Sequence, residues 1–378
     1  MNSAADLLSC FSDLDDPRVD RTKRYPLLEI VFLCICATIS GCEGWKSIRD
    51  FGVLKIEWLR KFLPYTEGVP VDDTIARVLR KLNTKQFRDC FILWMKGVSA
   101  ATAGDVVAID GKTLTGSYDK SSGKDAIHMV SAWSTSNSLV LGQEKTKEKS
   151  NEITAIPELL DVLELKGCIV SIDAMGCQEQ IAKKIIDRKA DYVLALKGNQ
   201  GLLHRDVKSF FEAAEATDFQ QVAHDFFEDV DSGHGRVESR RCWTIDVVQY
   251  KNCFDKINKW KNLKKMVMVK TKRELTDKTT EDTRFYISSC DRDAGFFLET
   301  IRKHWQIENC LHWTLDVTFK EDESRIRMEN SPENYAMIRH IALNIVRNFK
   351  EEKASVKRKL HMAALDDNFR YSLIKQVI

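Results

Sequence analysis

Two short apolar runs in this chain end the same way. Val106-Val-Ala-Ile-Asp110 and Ile169-Val-Ser-Ile-Asp173 each close on Ile-Asp, followed by a small residue, Gly111 or Ala174. Their length and β-branched content read as buried strands. Around them the periodicity alternates. Residues 126–135 and 138–143 read as two strands joined by a Ser-Thr-Ser-Asn turn, 152–165 as a helix, 177–188 as a helix, 192–196 as a strand and 202–216 as a helix. The order β-β-β-α-β-α-β-α dictates a parallel or mixed sheet with helices on its faces. Ligands of such sheets gather beyond the carboxyl ends of the strands. If the two Ile-Asp strands are neighbours, about 4.8 Å apart, their carboxylates suit a pair of Mg²⁺ ions about 3.5–4 Å apart. A single aspartate there more often caps the following turn. Two in matching contexts favour the metal.

A third carboxylate is expected in His304-Trp-Gln-Ile-Glu-Asn-Cys-Leu-His-Trp313. Read as an α-helix, Ile301, Trp305, Glu308, His312 and Leu315 share one stripe, which puts Glu308 on the buried face. A buried acid needs a partner or a metal. Asp316 and the Glu321-Asp322-Glu323 cluster compete for the role. Other chemistries fit less well. Gly111-Lys112-Thr113 resembles the end of a phosphate-binding loop, but Val106 stands where its first glycine is required. No nucleophile elbow is present. His304, Glu308 and His312 could form a zinc site on one helix face, at the cost of leaving the paired aspartates unused.

The chain has 378 residues, enough for two or three domains. Residues 1–100 read as all-helical: 27–40 is apolar nearly all round, Asp72 and Asp73 can cap a helix with Ile75, Val78, Leu79 and Leu82 inward, and a second helix from Thr84 buries Phe87, Phe91, Trp94 and Met95. Residues 101–217 carry the alternating core, 218–290 a β-rich insertion with strands at 237–248, 265–271 and 284–289, 291–350 the closing helices with Glu308, and 351–378 a tail. No run approaches the about 20 apolar residues of a membrane span. The 11 cysteines are scattered, with no Cys-x-x-Cys pair. With no export signal, the cytoplasm is the expected compartment.

Net charge is only +2, but it is unevenly distributed. Residues 212–231 hold seven acids and no Lys or Arg, whereas 251–273 hold nine Lys or Arg and one acid. That segregation predicts one face attracting phosphate and another repelling it. Lys112, Lys197 and Asn199 in a Lys-Gly-Asn-Gln turn, and His234 and Arg236 in Ser-Gly-His-Gly-Arg, flank the acids and suit a polyanionic substrate.

The assembled pattern resembles the bacterial insertion-sequence DDE transposases, of the group that includes the H-repeat-associated proteins of Rhs elements. The resemblance runs through Asp16-Pro-Arg, Leu33 to Trp45, Asp73-Thr-Ile-Ala-Arg-Val78, Ala108-Ile-Asp-Gly-Lys-Thr-Leu114, Lys149 to Leu160, Asp173-Ala-Met-Gly-Cys-Gln178, Leu196-Lys-Gly-Asn-Gln200, His234-Gly-Arg236, and His304 to Trp313. It implies an RNase H-like α/β core with Asp110, Asp173 and Glu308 as the metal-binding triad. Two Mg²⁺ ions, with Mn²⁺ as a substitute, would serve cleavage at element ends and strand transfer into target DNA. It also implies double-stranded DNA as partner, a homodimer once two ends are synapsed, and residence at the nucleoid when bound. The wider group often has Tyr, Arg and Lys seven before, four before and seven after the catalytic Glu. Here Ile301, His304 and Leu315 stand there, so Arg302 or His304 is expected to supply the DNA contact. An RNase H-like nuclease and a DNA-binding remnant without activity remain the rival readings.

Overall fold

The computed structural model describes residues 6–98, 103–119, 123–147, 152–233, 236–254, 257–275 and 277–378. Its centre is one nine-stranded sheet. The strands are β1 (Val106–Thr113), β2 (His128–Ser134), β3 (Leu139–Lys145), β4 (Ile169–Ile172), β5 (Asp191–Leu196), β6 (His224–Gly233), β7 (Arg236–Asp246), β8 (Lys265–Leu275) and β9 (Thr279–Ser288). Their spatial order is β3-β2-β1-β4-β5-β9-β8-β7-β6. β1, β4 and β5 are parallel, and every other pairing is antiparallel. The first five strands make the RNase H-like sheet. The β-rich insertion is a four-stranded meander that docks on β5 through β9 and widens that same sheet.

Side-chain alternation divides the two faces. Val107 and Ile109 of β1, Val170 and Ile172 of β4, and Tyr192, Leu194 and Leu196 of β5 pack with residues of the helices Glu152–Val162, Glu179–Asp187 and Gly201–Ala216. Val106, Ile169 and Val193 point the other way, into a core with Phe297, Leu298 and Ile301 of the helix Ala294–His304. A third core joins Ala108 and Trp133 to the long helix Ser331–Asn348, the amino-terminal helices and the carboxyl-terminal helices Val356–Leu365 and Asp367–Lys375. Each fully buried Leu, Ile or Phe in these cores contributes about 1.5–3 kcal/mol of burial.

The amino-terminal helices follow their apolar patterns. Leu27–Ile39 is buried almost throughout, and its one acid, Glu29, accepts the Tyr65 backbone N–H at 2.8 Å. Asp72 and Asp73 lie inside the first turn of the helix Asp72–Lys81 instead of capping it. There they favour the positive end of its dipole. All 11 cysteines are free thiols. Among the described residues, no helix is long and apolar enough to cross a membrane.

Two expectations change. The acidic segment before Gly233 forms β6, an edge strand on which Phe226, Phe227 and Val230 stay exposed. The charge segregation in sequence is also largely undone in space. β6 lies antiparallel to β7, so Glu228 meets Arg241 at 2.8 Å and Asp229 meets Arg240 at 3.4 Å. Lys270 of the basic stretch pairs with Glu215 at 2.5 Å. Strand pairing brings the acidic and basic runs together and leaves no two opposed faces.

Candidate active site

The two Ile-Asp strands are neighbours. β1 and β4 run parallel with Ile109 opposite Ile172, so Asp110 and Asp173 follow side by side at adjacent strand ends. By alternation both project to the face of Val106 and Ile169, the face covered by the helix Ala294–His304. Asp293 starts that helix by accepting the Phe296 N–H at 2.7 Å. The helical rod continues through a π-helical turn, Ile307–His312, into Trp313–Val317. Glu308 sits in the π turn.

The π turn corrects the helical stripe. Its i→i+5 bonding holds one extra residue per turn, which slips the phase. Ile307 and Leu311 therefore turn into the core, while Glu308 is exposed and faces the cavity. The same slip removes the single face on which His304, Glu308 and His312 would have formed a zinc site.

A cavity of about 390 Å³ gathers Asp110, Asp173, Lys197, Arg284, His304, Trp305 and Glu308 in its lining. The acids sense one another. Burial raises the Asp110 carboxyl to about 7, with Glu152, Asp173 and Glu308 adding to the rise against a hydrogen bond from the Gly111 backbone. Burial and Glu152 raise Asp173, which accepts backbone N–H groups of Met175 at 2.9 Å and Gly176 at 3.4 Å. Burial raises Glu308 as well; Arg284 counters and Asp173 adds. Among the described residues, no three His, Cys, Asp or Glu side chains are gathered closely enough to hold an ion unaided.

The flanking residues have distinct surroundings. Lys197 is exposed at the end of β5, in the cavity lining. Asn199 donates from Nδ2 to the Ala174 carbonyl at 2.5 Å, tying its turn to the Asp173 loop. Lys112 lies outside the lining: its ammonium is enclosed by Asp316 at 2.7 Å, Asp322 at 3.0 Å and Glu321 at 3.2 Å. His304 lines the cavity, but burial pushes it down to about 4, so it presents a neutral ring. His312 Nδ1 is 3.6 Å from Asp110 Oδ2; burial and Lys112 push it down to about 3, so it too is neutral. His234 lies outside the described residues.

Next to this cavity, and sharing Asp282, Arg284, Tyr286, Ile301, Trp305 and Glu308 with it, is a groove of about 640 Å³. Arg236, Arg240, Arg273, Arg284 and Arg302 line it. Glu238, buried on β7, organises three of them: Arg240 at 2.8 Å, Arg273 at 3.4 Å and Arg236 at 3.7 Å. Asp229 of β6 holds Arg302 at 2.9 Å. The Arg284 guanidinium stacks over Trp305 at 4.9 Å. Arg240, Arg273 and Arg284 escape a reading of the sequence. They come from three strands that only the meander brings together, and no local spacing marks them.

Comparison with known proteins agrees with this architecture. A family model described as "Transposase DDE domain" matches residues 101–345, and one described as "DDE_Tnp_1-associated" matches residues 8–95. The chain belongs to the DDE transposase family. Among its relatives, "Putative transposase YncI" of Escherichia coli O157:H7 is 46% identical over 96% of this chain and 93% of its own length. "H repeat-associated putative transposase YhhI" of Escherichia coli K12 is 44% identical over 97% of both chains. The structure of a piggyBac transposase synaptic complex with hairpin DNA covers 97% of this DDE family chain and 76% of its own, at 12% identity and a TM-score of 0.44. That likeness is too loose to carry an assignment. The RNase H-like core instead rests on the family match and the observed strand order.

Proposed function

We propose that this chain is a DNA transposase that cleaves insertion-sequence ends and joins them to target DNA by metal-dependent phosphoryl transfer at Asp110, Asp173 and Glu308. The observation that carries the reading is the meeting of these three acids in one cavity that opens into an arginine-lined groove. Their oxygens are the hard donors that Mg²⁺ or Mn²⁺ prefers. Mutual repulsion among buried carboxylates is what a cation would relieve. Mg²⁺ commonly uses one or two carboxylates and completes its shell with water and substrate phosphate, so a tight cage of three protein ligands is not required. Two such ions would supply Lewis acidity at the phosphate and an activated hydroxyl.

The chain's own groups do the rest. Asp110, Asp173 and Glu308 hold the ions. Arg236, Arg273, Arg284 and Arg302 keep 40–50% of their side chains exposed and offer phosphate contacts along the groove, while Arg240 is turned inward. Guanidinium forks suit phosphate oxygens bidentately. Lys197 supplies a point charge at the strand end, and Asn199 holds that turn in place. Lys112 and His304 drop out of the DNA contacts, the first because three carboxylates occupy it, the second because it is neutral. Double-stranded DNA is the proposed partner, in the cytoplasm at the nucleoid, with two chains paired when two ends are synapsed.

The test uses the purified full chain, Mg²⁺ or Mn²⁺, and a duplex carrying the DNA that flanks its gene. The wild type should nick the element end and join it to target. Asp110→Asn, Asp173→Asn and Glu308→Gln should each lose at least about a hundredfold in cleavage while binding DNA as before. Hydrolysis without joining would instead favour the nuclease. Salt-sensitive binding without any cutting would favour the remnant.

A further inference from the structure

The end of β1 carries chemistry on both faces of the sheet. Asp110 projects toward Glu308. Gly111, the next residue, faces the helix Glu152–Val162 on the other side. Where a side chain of Gly111 would stand, another residue already stands. A Cβ built there would lie 2.1 Å from Glu152 Oε1 and 2.3 Å from His128 Nε2. Glycine thus lets a carboxylate from the far face approach the backbone beside Asp110.

That carboxylate is steered. Glu152 Oε1 accepts from His128 Nε2 at 2.8 Å, and the Thr113 hydroxyl lies 2.8 Å from His128 Nδ1. Thr113 and His128 are opposite each other in the β1–β2 ladder, so the steering chain is built into the strand register. Glu152 is largely buried, with 15% of its side chain exposed. Of the charges acting on Asp110 and on Asp173, Glu152 is the largest on each, ahead of Glu308. It stands outside the lining of the cavity and reaches the two aspartates from behind. The sequence stretch that contains it, Lys149 to Leu160, carries part of the family resemblance without an assigned role.

We propose that Glu152 is a fourth carboxylate of the catalytic centre, holding a divalent cation together with Asp110 and Asp173, and that His128 is the positioning residue that aims it. The proposal rests on the metal-dependent reading given above. A merely structural Glu152–His128 pair would stabilise the fold and leave cation affinity alone.

The experiment is a Mn²⁺ titration of the full chain without DNA, starting in EDTA. It is followed by calorimetry and by the Mn²⁺ concentration that gives half of the rise in melting temperature. The variants are Glu152→Gln, His128→Asn and Asp110→Asn. Glu152→Gln should need at least about tenfold more Mn²⁺, with its melting temperature in EDTA close to wild type. His128→Asn should weaken Mn²⁺ in the same direction, about tenfold, as loss of an aiming group does. Wild-type Mn²⁺ affinity in Glu152→Gln overturns the proposal while leaving the triad standing. A wild type that takes up no Mn²⁺, or an Asp110→Asn variant that binds it unchanged, overturns the metal-dependent reading itself and the proposal with it. Should Glu152→Gln fail to fold, Glu152→Asp keeps the charge and withdraws it by one methylene. Weakened Mn²⁺ binding in that variant supports the proposal, and wild-type binding overturns it.

Discussion

Lys112 and Asp110 stand two residues apart on β1 and face the same side of the sheet, yet their roles part. Asp110 was legible because the Ile-Asp ending recurs at Asp173, and register then set the two side by side. Lys112 read as a phosphate contact because a lysine beside metal-type acids suits a polyanion. Its partners, Asp316, Glu321 and Asp322, come from more than 200 residues further along the chain, and no local spacing announces them. Glu321 is almost fully buried and also lies 3.5 Å from Arg339. The cage raises the Lys112 pKa despite burial. Lys112→Met should therefore cost stability, because it leaves three neighbouring carboxylates without their cation. Breaking a fully buried pair costs about 3–5 kcal/mol; since Asp316 and Asp322 remain about one-third exposed, the expected loss is nearer 2–3 kcal/mol. Urea denaturation should show a lower midpoint at unchanged slope. DNA affinity should stay at wild type. Weakened DNA binding with intact stability would return Lys112 to the groove.

Among the elements, the π turn is where sequence periodicity misleads. An α-helical count through Ile301, Trp305, Glu308 and His312 puts the acid inside. The chain instead changes partners between Ile301, which packs with Phe297 and Leu298, and Ile307 and Leu311, which join the core of the long carboxyl-terminal helix. The extra residue of the π turn absorbs that change and leaves Glu308 facing the cavity. β6 was missed for a related reason. His224-Asp-Phe-Phe-Glu-Asp-Val-Asp has no apolar face, and its ten-residue ladder with β7 makes it a strand. Neighbours outweigh propensity in such a segment. If Leu311 anchors the π turn, Leu311→Ala should cost about 2–5 kcal/mol. Trp313→Ala, two residues on and 58% exposed, should stay within about 0.5 kcal/mol of wild type. Urea curves of the two variants check this. Equal losses would mean that the turn is not held by its buried side.

For the whole molecule, the alternating α/β pattern was enough to foresee a mixed sheet with an RNase H-like core. What it could not supply was how distant ends close on each other. The segment after residue 350 read as a tail, because two short helices separated from the core by Lys- and Glu-rich sequence carry no sign of where they dock. They dock on the amino-terminal helices. The Leu7 N–H donates to the Val377 carbonyl at 2.8 Å, and Trp58 Nε1 donates to the Asp367 carbonyl at 3.0 Å. Arg370 is wholly buried, over the Trp58 ring at 4.4 Å and the Phe51 ring at 5.2 Å, with its charge met by Asp367 and by the Ala363 carbonyl at 2.6 Å. Leu360, Leu373, Ile374 and Val377 share a core with Leu33 and Ile48. Burying those four side chains contributes about 6–12 kcal/mol in gross terms at 1.5–3 kcal/mol each. That is the size of a domain's whole net stability, about 5–15 kcal/mol. A chain ended at residue 350 should therefore lose more than a tail. Its amino-terminal helices should lose cooperative packing, seen in calorimetry as a broadened or missing transition and in expression as a fall in soluble yield. A truncated chain that melts within a few degrees of full length would instead mean that the two end regions fold independently. The closing helices would then be dispensable to the element that holds Leu33 and Ile48.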